Sequence, residues 1–251
     1  MGFGREGRRV RKWLAVGLSC SAVLLFLFLE HGVTADTATA VRLIGDVDGE
    51  GLPPEAAWKA PTPLRFNTDW QGQNADGLRE TEVRLLWTPE TLYVRFEARY
   101  RSITVFPDAE SNGRRDQLWD RDVCEVFLQP EPSELRRYKE FEVAPNGFWI
   151  DLDIAPGEKH DLRSGLRRRV DVDEENKRWR ALLALPMKSL VQRFDPSAVW
   201  RVNFYRVEGA EEPRFYSAWR PTGTAEPNFH VPEAFGRLIF AEGRRVSSEQ
   251  P

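Results

Sequence analysis

Apolar and polar residues alternate with a period of two in one segment after another of this chain, and that periodicity leaves few folds open. Residues 81–87 place Val83, Leu85 and Trp87 on one face. After the turn Thr88-Pro89-Glu90, Leu92, Val94, Phe96, Ala98 and Tyr100 alternate with Tyr93, Arg95, Glu97 and Arg99. Residues 122–129 put Cys124, Val126 and Leu128 on one side, and Val123, Glu125, Phe127 and Gln129 on the other. Residues 138–144 carry Glu140 and Glu142 opposite Phe141 and Val143. The turn Pro145-Asn146-Gly147, in which Asn-Gly readily supplies positive φ, leads into a partner strand at 148–154. Further strands are predicted at 41–44, 166–172, 178–185, 199–208, 214–219 and 235–240. Helical periodicity is confined to one turn at 186–191, with Pro186 at its first position. About ten or eleven short strands, with turn signals between them, predict an all-β fold: a sandwich of two antiparallel sheets of jelly-roll or immunoglobulin-like type.

The first 35 residues have a different character. Arg5, Arg8, Arg9, Arg11 and Lys12 precede an apolar run over residues 13–29, and Val33-Thr34-Ala35 follows with small side chains. This is the pattern of a secretory signal cut after Ala35. Left uncut, the run of 17 residues would be an anchor near the lower length limit for a membrane span. The folded domain is then expected over residues 41–242, with a polar tail at 243–251. The whole chain has a net charge of −3, and residues 1–35 hold five basic and two acidic side chains, so their removal leaves −6. That balance argues against a nucleic-acid surface, which needs clustered positive charge. The one basic run, Arg167-Arg168-Arg169, reads as a solvated strand face. Only Cys124 remains after cleavage, so no internal disulfide can form, and it reads as an inert buried thiol. An exported chain without disulfides is expected in a bacterial periplasm or secreted from the cell. Nothing in the sequence points to an oligomer.

The stretch Leu118-Trp119-Asp120-Arg121-Asp122, reached through a long polar loop over 102–118, delivers an aromatic ring and two carboxylates to a strand that carries Glu125 in its middle. A flat ring beside fixed hydrogen-bonding groups suits a pyranose, whose C–H face stacks while its hydroxyls find polar partners. Trp119 as a core residue and the acids as turn residues is the competing reading. Asp46, Asp48 and Glu50 form an acidic, glycine-rich turn that offers oxygen ligands to calcium but does not match an EF-hand loop.

Six pieces in order resemble the family 9 carbohydrate-binding modules, which belong with the DOMON-like β-sandwiches. They are Asp48-Gly49 with Trp58, Leu86-Trp87 with Leu92-Tyr93-Val94, Trp119 through Phe127, Arg178-Trp179 with Leu185-Pro186, Trp200 through Phe204, and Trp219 with Phe235-Gly236. The resemblance covers roughly residues 41–240. It implies a non-catalytic β-sandwich that holds the terminal sugar of an oligosaccharide or polysaccharide between two aromatic rings. Structural calcium is part of that picture, and no cofactor is required. By position, Trp119 matches the first aromatic and Glu125 the polar residue on the next strand. Phe229 stands where the family's type member has Trp, and Glu142 falls near the place of a basic residue. Asn146 and His230 complete the set of expected sugar contacts, although His230 could equally fix its loop.

Two other functions remain open at this point. A glycoside hydrolase would draw its pair of carboxylates from Asp120, Asp122, Glu125, Glu140 and Glu142. A haem-binding domain of the DOMON type would need axial ligands from Met187, His160 and His230.

Overall fold

In a computed structural model of the chain, the described residues are 1–2, 36–134 and 136–243. The expected signal segment, apart from its first two residues, and the tail from residue 244 onward lie outside them. Among the described residues no helix is long and apolar enough to cross a membrane.

The described residues form an almost wholly β structure of thirteen strands. In chain order these are β1 (Thr37–Arg42), β2 (Leu64–Phe66), β3 (Thr81–Thr88), β4 (Thr91–Arg99), β5 (Val123–Gln129), β6 (Tyr138–Val143) and β7 (Trp149–Ala155). After them come β8 (Glu158–Asp161), β9 (Arg167–Asp173), β10 (Arg178–Pro186), β11 (Trp200–Glu208), β12 (Phe215–Ala218) and β13 (Gly236–Ala241). Among the described residues the one α-helical turn, α1 (Met187–Leu190), follows β10, and Pro186 precedes it as the capping residue; short 3-10 turns occur elsewhere. Hydrogen bonding runs continuously in the order β8-β7-β6-β5-β11-β13-β1-β3-β4-β10-β9, with β2 added to β3 and β12 added to β11.

This sheet curls so that its two halves face each other, as in a sandwich. Phe96 on β4 meets Phe204 on β11 edge to face, with ring centroids 6.2 Å apart. The inward residues of both halves share one core, to which β5 contributes Cys124, Val126 and Leu128. Those are the residues that period-two alternation assigns to one face. Cys124 is fully buried and unpaired, and burial pushes its thiol up to about 12, so it is inert at neutral pH.

The seam between the halves departs from a purely antiparallel plan. β1 pairs in parallel with both β13 and β3. It also begins earlier than residues 41–44, because Ala38 and Ala40 are the fully buried residues of the alternation and their small side chains give no strong apolar signal. The Phe235-Gly236 pair opens β13 for a steric reason. A Cβ on Gly236 would stand 2.7 Å from both the Asp36 carbonyl oxygen and the Trp219 ring.

The arginine run on β9 lies on a largely exposed strand, as expected, but its side chains are engaged. Arg167 donates to the Gly51 carbonyl and Arg168 to the Gly147 and Asn112 carbonyls, while Arg169 pairs with Asp48 and Glu50. Three guanidinium groups on one edge strand thus tie down the loops that pass it.

Candidate functional site

The outward face of β5, β6 and β11 is itself largely covered. Val123 and Phe127 of β5 pack there with Tyr138, Tyr205, Val207, Phe229 and Phe235 in a second apolar cluster. Into this cluster the strand register sets three acids. Glu125 stands opposite Glu142 of β6 on one side and Tyr205 of β11 on the other, and Glu140 stands opposite Phe127. Glu125, Glu140 and Glu142 are 2%, 3% and 1% exposed.

Two loops complete the site. Leu118, fully buried, anchors a 3-10 turn that carries Trp119. The preceding Gln117 sits in the left-handed region at φ 53, a conformation that costs a non-glycine residue on the order of 1 kcal/mol. Arg214, just before β12, donates to the Trp119 carbonyl at 2.9 Å and fixes the turn from the far side. Trp119 is half-buried. Phe229, in the loop between β12 and β13, stacks on Tyr205 with centroids 4.2 Å apart and planes 12° apart, and Tyr205 donates its hydroxyl to the Phe229 carbonyl. Trp119, Phe229, Phe127 and Tyr216 with the three glutamates border one cavity of about 260 Å³, which Lys159, Arg214 and His230 also line. That is near the small end of ligand pockets, which begin at roughly 300 Å³.

Burial first, and then the charge of Glu140 on Glu125 and of Glu125 and Glu140 on Glu142, push the carboxyls of Glu125 and Glu142 well above the ordinary carboxylate range. Opposing them are Arg214, acting on Glu125, and Lys159, acting on Glu142. Glu140 is close enough to Glu142 to add to this rise, yet no hydrogen bond of acceptable geometry joins them. Both oxygens of Glu142 and one each of Glu125 and Glu140 are buried without a hydrogen-bond partner among the described residues. Lys159 reaches in from β8 with its ammonium 4.5 Å from the centre of the Trp119 ring, a cation–π contact. His230 shares a hydrogen bond of 2.5 Å with the Tyr138 hydroxyl and lies 3.9 Å from Glu140.

Of the residues expected to hold sugar, Trp119, Glu125, Glu142, Phe229 and His230 line this cavity. Asn146 lies elsewhere. Its amide nitrogen donates to the Phe106 carbonyl and its oxygen accepts from the Phe148 N–H, so it closes the Asn146-Gly147 turn, where Gly147 adopts φ 83. Lys159, Arg214 and Tyr216 carry no expectation from the sequence. Arg214 and Tyr216 fall on one side of a predicted strand at 214–219, a signal that was present. Lys159 sits on an edge strand polar on both sides, where hydropathy patterning gives no signal.

The other candidate centres do not assemble. Asp122 points away from the cavity, accepting from the Gly209 N–H at 2.6 Å, and neither it nor Asp120 lines the cavity. Met187 is buried in the main core, His160 is exposed on β8 and His230 borders the cavity, so no two of the three form an axial pair for haem. In the acidic turn, Asp48 Oδ1 accepts from the Glu50 and Leu52 N–H groups, and Arg169 bridges Asp48 and Glu50 at 2.7 and 2.6 Å. A guanidinium thus fills the place a calcium ion would take, and these residues do not fit one. Among the described residues no group of three or more His, Cys, Asp or Glu side chains is arranged to hold a metal ion.

The fold is that of the family 9 carbohydrate-binding modules. A family 9 module of Caldicellulosiruptor kristjanssonii, solved with cellotriose, superposes with a TM-score of 0.57 at 14% identity, over 86% of this chain and 98% of that one. A proposed carbohydrate-binding protein of Bacteroides uniformis gives a TM-score of 0.64 at 17% identity, over 81% of this chain and 98% of that one. In sequence, the chain is 23% identical over 227 residues to an extracellular protein of Arthroderma benhamiae, spanning 84% of this chain and 98% of that protein. No family model matches the chain.

Proposed function

We propose that this protein is an exported, non-catalytic carbohydrate-binding module that takes the terminal sugar of a glycan chain into the cavity beside Trp119. The observation that carries the reading is that Trp119 and Phe229, from segments far apart in the chain, border one small cavity whose walls hold buried carboxyl oxygens without partners. A half-exposed indole offers a stacking face, and the carboxyl oxygens accept from sugar hydroxyls. A cavity of this size suits one ring, which favours a chain end over the middle of a polymer. Phe229 is largely committed to Tyr205, so it closes the floor more than it offers a second open plate. With one good stacking face and a few hydrogen bonds, the dissociation constant is expected between about 1 mM and 1 μM. The carbohydrate-binding neighbours in fold and the extracellular fungal relative support both the ligand class and the export.

Affinity electrophoresis of the protein through gels containing soluble glucans, xylans and other glycans tests this directly. Retardation by at least one glycan, lost in Trp119→Ala, is the expected result. Equal retardation of the variant removes the proposed site. The same carboxylates could serve a hydrolase, so turnover of chromogenic glycosides is the complementary measurement, and sustained turnover would replace the binding reading with a catalytic one.

A further inference from the structure

We propose that the preferred ligand of this cavity is the terminal residue of an amino-sugar chain, with its ammonium group set against Glu142 and its neighbours Glu125 and Glu140. The inference rests on the sugar-binding reading and names the class of sugar.

A neutral sugar needs acceptors and donors in comparable number. This cavity is short of donors at its acidic wall. Three carboxyl groups, each at most 3% exposed, converge there, and four of their oxygens are buried without a hydrogen-bond partner among the described residues. Covering that wall with a neutral ring strips off water and supplies no compensating charge, whereas an ammonium supplies three donors and a positive charge. The chain itself provides a precedent. Lys159 holds its ammonium 4.5 Å from the Trp119 ring centre and is the cation that acts on Glu142. The cavity lining therefore already includes a primary ammonium over an indole face, and Lys159 is carried there by an exposed edge strand. A 2-amino sugar offers the same ammonium next to a C–H face able to stack on Trp119. Burial and neighbouring carboxylates disfavour the ionised forms of Glu125 and Glu142, and an ammonium set against them offsets that cost.

Calorimetry on the folded protein tests this with three defined trimers: fully deacetylated glucosamine trimer, its N-acetylated counterpart and cellotriose. The titrations are run at pH 6, below the range of about 7.7–8.0 for an α-amine. One charge-assisted bond in place of a neutral one predicts that the glucosamine trimer binds about tenfold tighter than either neutral trimer, at one per chain. Glu142→Gln is expected to erase that preference, bringing the glucosamine trimer to the affinity of the neutral trimers measured on the same variant, with Glu125→Gln as a second variant should the first not fold. Neutral trimers binding as tightly as the glucosamine trimer would overturn the inference and leave the sugar-binding reading intact. Failure of all three to bind would remove both. Binding of several glucosamine trimers per chain, unaffected by Trp119→Ala, would show diffuse charge attraction and overturn the inference.

Discussion

Glu125 on β5 and Glu142 on β6 stand directly opposite each other across an antiparallel pair, on the same face, both buried. Like charges in that arrangement oppose folding, and burial in an apolar cluster adds to the cost. A pair of this kind weakens the fold.

The pair makes a signed prediction for stability. Both carboxyls are raised, so their contribution is present in full below the ordinary carboxylate range near 4.3 and is lost as pH rises through the raised values. Glu125→Gln should match the wild type in urea denaturation at pH 4. At pH 7.5 it should be more stable by about 1–3 kcal/mol, the usual cost of a buried unsatisfied polar group. A variant weaker at both pH values would show that the fold holds the Glu125 carboxylate favourably.

Trp119 and Phe229 border the same cavity but are held differently, and truncation should separate their roles. Trp119 is half-buried, whereas Phe229 is 9% exposed and stacked on Tyr205. Phe229→Ala is expected to cost about 3–5 kcal/mol of stability as well as binding. Trp119→Ala should remove glycan retention with a much smaller fall in melting temperature. Scanning calorimetry alongside affinity electrophoresis reads both. A fall for Trp119→Ala as large as that for Phe229→Ala would mean that the indole is a core residue.

Asp122 gives a second, independent pH effect. It is fully buried, and burial raises its carboxyl to about 6 against the opposing pull of Arg206 and the Gly209 N–H. Its stabilising share is complete below about pH 4 and lost as pH climbs past 6. Asp122→Asn should flatten that part of the stability profile. Relative to the variant, the wild type should lose about 3 kcal/mol between pH 4 and 7.5. Parallel profiles for the two proteins in denaturant would contradict this.

The acidic turn predicts indifference to calcium. Arg169 occupies the space between Asp48 and Glu50, so adding calcium or a chelator should leave the melting temperature unchanged. Arg169→Ala should cost no more than about 1 kcal/mol, because the groups are partly exposed and solvent screens them. A drop of several degrees on chelation would reveal a metal site that these contacts do not describe.

Much of the architecture was legible because alternation is a direct record of burial. In β5, Val126 and Leu128 announce one packed face and Phe127 another, and the structure assigns them to two different clusters. Where burial involves small or polar side chains the record fades. Ala38 and Ala40 hide β1, and the wholly exposed β8 carries no pattern at all. The arginine run on β9 illustrates the same limit, since its partners are carbonyls of loops remote in sequence.

The amino-acid sequence alone determined the all-β class, most strand positions and the face on which Glu125, Glu140 and Glu142 lie, because each depends only on near-neighbour periodicity. Only the tertiary structure decided that those acids are buried together, that Trp119 and Phe229 share a cavity with them, and that Asn146 and the Asp48 turn are occupied elsewhere. Charge proximity, partner satisfaction and cavity shape arise from strand register and loop closure between residues far apart in the chain, and local sequence does not encode those distances.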